Sequence, residues 1–216
     1  MPATSPNPEL FVQDETALRA LFPATHALAA LKSLGILDPH AREFIRRSPF
    51  LTIGTQNSEG RADVSPRGDP TGFVQVLDDR TLAIPDRPGN NRLDTLSNIL
   101  ANPNVGLLFM VPGFDDTLRV NGTARLSTDP ELLRAMAVND RTPTLAIVVS
   151  VSEVFLHCAK AFRRSRLWDP EARQDRKEMP SLLKMILDQT NGAPQDPAEM
   201  RKIDEGLEAD YRKSMY

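Results

Sequence analysis

LAIPDRPGNNRLDTLSNILANPNVGLLFMVPG, residues 82–113, passes through several local patterns in turn. A strand ends near Ile84 and gives way to a turn rich in Arg, Gly and Asn. A helix follows over 91–100, with Leu93, Leu96, Ile99 and Leu100 on one side. Asn102-Pro103 stops it, because the residue before a proline is pushed out of the helical region. The chain resumes as VGLLFMV (105–111), a continuous apolar run that predicts a strand covered on both faces. No strand in the chain leads into the Gly-rich turn and long crossover helix of a dinucleotide-binding α/β unit, which excludes that fold.

Upstream of this stretch, residues 1–10 form a Pro- and Asn-rich lead. Leu18, Leu21, Phe22, Leu28, Leu31 and Leu34 predict two short helices joined near Pro23, the second ended by Gly35. Asp38-Pro39 is a cap with proline in the first turn and opens a helix to about Arg47. FLTIGT (50–55) and residues 61–65 flank a turn and read as a hairpin, as do 73–77 and 81–84 around Asp78-Asp79-Arg80. Downstream, 117–126 alternates as a half-buried strand, and Asp129-Pro130 opens a helix to about Ala137. Residues 144–156 form a long last strand with room for a bulge near 150–152. The prediction is a mainly β protein with flanking helices, its short strands between 50 and 157 forming a small antiparallel barrel. After residue 160 the chain turns polar and helical, with a helix over 181–187 and another from Asp196-Pro197 to about Tyr211.

Composition narrows the function. The chain has 216 residues, with 26 Lys and Arg against 29 Asp and Glu, a net charge of −3. That balance speaks against a duplex nucleic-acid binder, which carries a basic excess. A single cysteine, Cys158, excludes an internal disulfide, and three scattered histidines exclude His-rich metal motifs. No leader pattern occupies the first twelve residues and no apolar run is long enough for a membrane span, so the expectation is a cytoplasmic protein with no metal.

Three segments could carry chemistry. In IPDRPGNNR (84–92), Arg87 and Arg92 bracket Gly89, Asn90 and Asn91 at a helix start. Backbone N–H groups and planar guanidinium forks there suit a phosphate. The competing reading is that Asn90 or Asn91 caps the helix and the arginines face water. In VSPRGD (64–69), Pro66 cannot donate to a ladder, so the strand ends or bulges there. Ser65, Arg67 and Gly68 could then offer donors to a flat, electron-rich ring, or be a strand end with an exposed arginine. In HCAKAFRRSRLW (157–168), Lys160, Arg163, Arg164 and Arg166 form a basic cluster near Trp168. His157 and Cys158 fall on opposite faces of a strand and make a poor catalytic pair. With neither a P-loop nor a G-x-S-x-G element, a bound cofactor is the expected source of reactivity.

These segments together resemble the pyridoxamine 5′-phosphate oxidase-like, FMN-binding split-barrel family. The resemblance covers roughly residues 40–168 and rests on FLTIGTQNSEGRADVSPRGD, residues 82–113 and TLRVNGTARLS. It implies a six-stranded antiparallel split β-barrel that pairs as a homodimer, with FMN between the subunits. By position, Arg87, Asn90, Asn91 and Arg92 would hold the phosphate. Ser65, Pro66, Arg67 and Gly68 would lie along the isoalloxazine, and Lys160 and Arg164 would approach from the same or the other subunit. The implied organisation is a helical segment packing on the barrel (1–47), a flavin-binding barrel (48–168) and a helical extension (169–216). The implied function is FMN-dependent oxidoreduction between a reduced donor and oxygen or a small organic acceptor. The alternatives are a non-catalytic FMN-binding or electron-carrier protein, or a split barrel using F420 or haem. The Ser-Arg-Lys and Arg-x-His runs of true pyridoxamine phosphate oxidases are missing, which points away from vitamin B6 as substrate.

Overall fold

The structure, a computed structural model, describes residues 7–215, so residues 1–6 of the Pro- and Asn-rich lead lie outside it. The chain divides into two units, residues 1–33 and 34–216. The first holds a 3-10 turn (Pro8–Leu10) and two short helices, α1 (Glu15–Ala20) and α2 (Ala27–Leu31). Asp14 caps α1 by accepting from the Ala17 N–H at 2.8 Å.

The second unit opens with α3 (Pro39–Arg47), capped by Asp38, whose Ala41, Phe44 and Ile45 are buried in the core. Seven strands follow: β1 (Phe50–Gln56), β2 (Ala62–Gly68), β3 (Gln75–Val76), β4 (Thr81–Pro85), β5 (Asn104–Met110), β6 (Thr117–Ser127) and β7 (Ala146–His157). Between them lie α4 (Asp94–Ala101) and α5 (Pro130–Ala135). After them come α6 (Lys160–Ser165), α7 (Leu182–Gln189) and α8 (Pro197–Ser214). The strands make one antiparallel sheet in the order β2-β1-β5-β6-β7-β4-β3. The six-stranded barrel implied by the resemblance is therefore one strand short of the seven observed; β3 and β4 are the hairpin expected over 73–77 and 81–84, with β3 reduced to two residues at the sheet's edge.

The core follows from strand alternation. Leu51 and Ile53 of β1, Val105, Leu107 and Phe109 of β5, and Leu118, Val120 and Ala124 of β6 face inward and are buried. On β7 the buried set runs Ile147, Val149, Val151 and then Val154, so the period of two breaks once. The break is a bulge: Asn121 pairs with Glu153 and Gly122 with Val151, which leaves Ser152 as the extra residue. The last strand therefore does both things that its sequence left open: it runs for 12 residues and it holds a bulge near 150–152.

Two strand expectations are corrected. β2 does not end at Pro66 but runs unbroken to Gly68, with Pro66 opposite Thr52. As the sheet's edge strand, β2 has one side with no ladder to interrupt, which is where proline is tolerated. In β5 only alternate residues are buried within the chain, while Gly106, Leu108 and Met110 are half-exposed on the outer face. No helix among the described residues is long and apolar enough to cross a membrane.

Candidate functional site

A cavity of about 890 Å³ lies where β2, the connection from β4 to α4 and the first turn of α4 come together. β2 supplies Asp63, Ser65 and Arg67, alternate residues on its inner side. The connection 86–93 and Asp94 to Leu96 supply most of the remaining wall. The cavity thus brings together Ser65, Pro66, Arg67, Gly68, Arg87, Asn90, Asn91 and Arg92, which come from two separate segments of sequence. Lys160 and Arg164 stand exposed on α6 and do not line it.

The helix begins at Asp94, three residues later than the apolar spacing predicts. Asn91 and Leu93 both have left-handed backbone, with φ of 56° and 61°. That conformation is uncommon for leucine, and such strain gathers at functional sites. Asn90 turns back to accept from the Arg92 N–H at 3.1 Å. Neither asparagine caps α4, and its cap position, Leu93, makes no side-chain cap bond. The capping alternative is therefore not what these residues do, and the helix start faces the cavity with backbone donors.

The three arginines differ in setting. Arg87 is largely buried: its Nε donates to Asp69 Oδ2 at 2.6 Å and its Nη2 to the Met136 carbonyl at 2.8 Å. Arg92 is exposed and pairs with Asp94 at 2.7 Å. Arg67 lies folded along β2, donating from Nη1 to Ser65 Oγ at 2.6 Å and to the Pro66 carbonyl at 2.8 Å. Its Nε is buried and has no hydrogen-bond partner. Burial pushes the Arg67 guanidinium below its ordinary range, against the opposing pull of Asp86 and Asp63.

Four residues that matter here were not singled out from sequence. Asp69 holds Arg87. Asp86 stands 4.0 Å from Arg67 Nη2, and burial raises its carboxyl above the usual range while Arg67 opposes the shift. Asp63 accepts from Thr95 Oγ1 at 3.0 Å, which ties the first turn of α4 to β2. Asp69 and Asp86 were in view, as the last residue of VSPRGD and the neighbour of Arg87 in IPDRPGNNR. Only the fold shows that they face arginines.

Elsewhere, two of the four cations of the basic cluster are engaged in surface pairs: Arg163 meets Asp115 at 3.0 Å and Arg166 meets Asp169 at 2.6 Å. Cys158 is exposed, and the rings of Phe155 and His157 sit 4.9 Å apart. The arrangement in the cavity suits an anion near the start of α4 and a planar, electron-rich group beside Arg67.

A family model described as pyridoxamine 5′-phosphate oxidase matches residues 37–158. No curated protein matches the chain. Solved structures similar to it include HupZ of Group A Streptococcus, at 17% identity over 55% of this chain and 92% of that one, with a TM-score of 0.46. General stress protein 26 of Bacillus anthracis is similar at 16% identity over 54% and 93%, with a TM-score of 0.42. An F420 reductase is similar at 17% identity over 52% and 94%, with a TM-score of 0.40.

Proposed function

The chain belongs to the pyridoxamine 5′-phosphate oxidase family, and from that premise we propose that it is an FMN-dependent oxidoreductase working as a homodimer of split barrels. The observation that carries the reading is Arg67, a partly buried guanidinium whose buried Nε has no partner, lining a cavity that also holds the uncapped start of α4. A buried donor without an acceptor costs about 1–3 kcal/mol, so the chain's own groups leave this guanidinium incompletely compensated. The volume suits a cofactor of this size, since such sites run to about 300–1,000 Å³. Gly89 has nothing within 4 Å of where a Cβ would stand, so its side of the loop is open to a ligand.

FMN, when bound, supplies hydride and single-electron chemistry that no side chain here provides. The chain's own residues bind and orient it. Arg92, Asn90, Asn91 and the N–H groups at the start of α4 are assigned to the phosphate, with Arg87 bracing the loop and lending charge. Ser65, Pro66 and Gly68 would lie along the ring, and Arg67, a partly buried cation, would favour negative charge beside it. The homodimer is supported by the outer face of β5, where Gly106, Leu108 and Met110 remain half-exposed beside Gly54 of β1. Lys160 and Arg164 enter this reading as groups offered to the partner subunit's cavity.

The test is absorption of the purified protein after FMN is added and excess removed by gel filtration. Retention of one flavin per subunit is the expected result. Arg67→Ala should weaken binding about 10- to 100-fold, the worth of a hydrogen bond from a charged donor. Folded protein that retains no flavin would overturn the proposal. Retention of F420 or haem in its place would redirect it within the family.

A further inference from the structure

Among the charged groups lining the cavity, most are already engaged. Asp63 accepts from Thr95, Asp94 from Arg92, and Arg87 donates to Asp69. Two neighbours stand apart. Arg67 Nε is a buried donor with no acceptor. The carboxyl of Asp86 accepts no hydrogen bond among the described residues, and its closest approach to Arg67, 4.0 Å, is too long to be one. Both side chains are more buried than exposed, at 18% and 24% relative exposure. The Asp86 backbone is fixed, its N–H donating to the Leu145 carbonyl at 3.0 Å. Burial moves both groups toward their neutral forms, as expected for charges whose compensation is incomplete.

We propose that Asp86 is a specificity-determining residue which, together with Arg67, recognises a planar ring edge carrying a carbonyl next to an N–H. The carbonyl accepts from Arg67 Nη2, which makes no hydrogen bond among the described residues, and the N–H donates to the Asp86 carboxylate. A donor and an acceptor about 4 Å apart can both be met by one such edge, whereas a purely anionic or purely apolar group would leave one of them unmet. A cyclic imide or dione is the matching chemical class, and the dione ring of a flavin is one. The inference rests on the FMN reading given above. It adds that the site reads the ring's N–H, and that it does so through Asp86. Sites built to hydrogen-bond a ligand group reject analogues that lack it, because their own buried polar atom is left unpaired.

The test compares FMN with its N3-methyl analogue by fluorescence titration of the intact protein. The expected result is at least tenfold weaker binding of the methylated ligand, and loss of that preference in Asp86→Ala. Circular dichroism confirms that the variant is folded. Should Asp86→Ala fail to fold, Asp86→Asn keeps the shape, removes the charge and should reduce the preference to a few-fold. Wild-type protein that binds both ligands equally, or a folded Asp86 variant that keeps the full preference, overturns the inference and leaves the FMN proposal standing. Wild-type protein that binds neither ligand overturns both.

Discussion

Gly122→Ala is expected to lower the stability of the protein by about 3 kcal/mol or more, the upper range for overpacking a core. A Cβ at this position would stand 2.1 Å from the Ser150 carbonyl oxygen, 3.0 Å from its carbon and 3.3 Å from Val149 Cγ1. The clash is with backbone, and that backbone is held from both sides. Ser150 pairs with Thr123 of β6 and with Thr81 of β4, so β7 cannot move away without breaking ladders on each flank. The position also adjoins the bulge at Ser152, whose hydroxyl donates to the Asn121 carbonyl at 3.1 Å. Urea titration should show a lower midpoint with an unchanged slope. Gly89→Ala, where a Cβ meets nothing within 4 Å, is the matched control and should change stability by less than about 0.5 kcal/mol. A loss below about 1 kcal/mol in Gly122→Ala would mean that the sheet relaxes at the bulge.

The ease of reading the elements from sequence followed how local their causes were. Asp38-Pro39, Asp129-Pro130 and Asp196-Pro197 each mark a helix start, and each aspartate caps the helix that follows. The bulge was legible because the run 144–156 is too long and too irregular in alternation for one flat strand. Pro66 was not, because its tolerance comes from β2 lying at the sheet's edge, a tertiary fact. The start of α4 was displaced by left-handed backbone at Leu93, and leucine carries no signal for that conformation. β5 looked covered on both faces because its composition is apolar throughout, yet the chain itself covers only one.

The candidate site shows the same division. The two motifs that line the cavity could be picked out as carriers of chemistry, and the structure places them together. Their charge balance could not be read. The arginines drew attention as anion binders, but the cavity wall carries Asp63, Asp86 and Asp94 beside Arg67, Arg87 and Arg92. Such a wall is not simply attractive to phosphate. It discriminates by where each charge is already used, and that depends on pairs such as Asp69 and Arg87, which are far apart in sequence and join only in the fold.

That pair gives the second large effect. Asp69→Ala should destabilise the protein by about 3 kcal/mol, the lower end of what removing one partner of a buried ion pair costs. The Asp69 side chain is 1% exposed and that of Arg87 14%, so water cannot replace the lost carboxylate. The pair also does mechanical service. Asp69 follows β2 directly and anchors its own N–H on the Pro49 carbonyl at 3.1 Å, while Arg87 reaches on to the Met136 carbonyl just beyond α5. Together they pin the loop that carries Asn90, Asn91 and Arg92 to two other parts of the chain. Chemical denaturation of Asp69→Ala, Arg87→Ala and the double variant checks this directly. The double variant should lose at least about 1 kcal/mol less than the two single losses combined, because removing both charges strands neither. Additive losses would show that each residue acts through other contacts, and that the pair does not hold the loop.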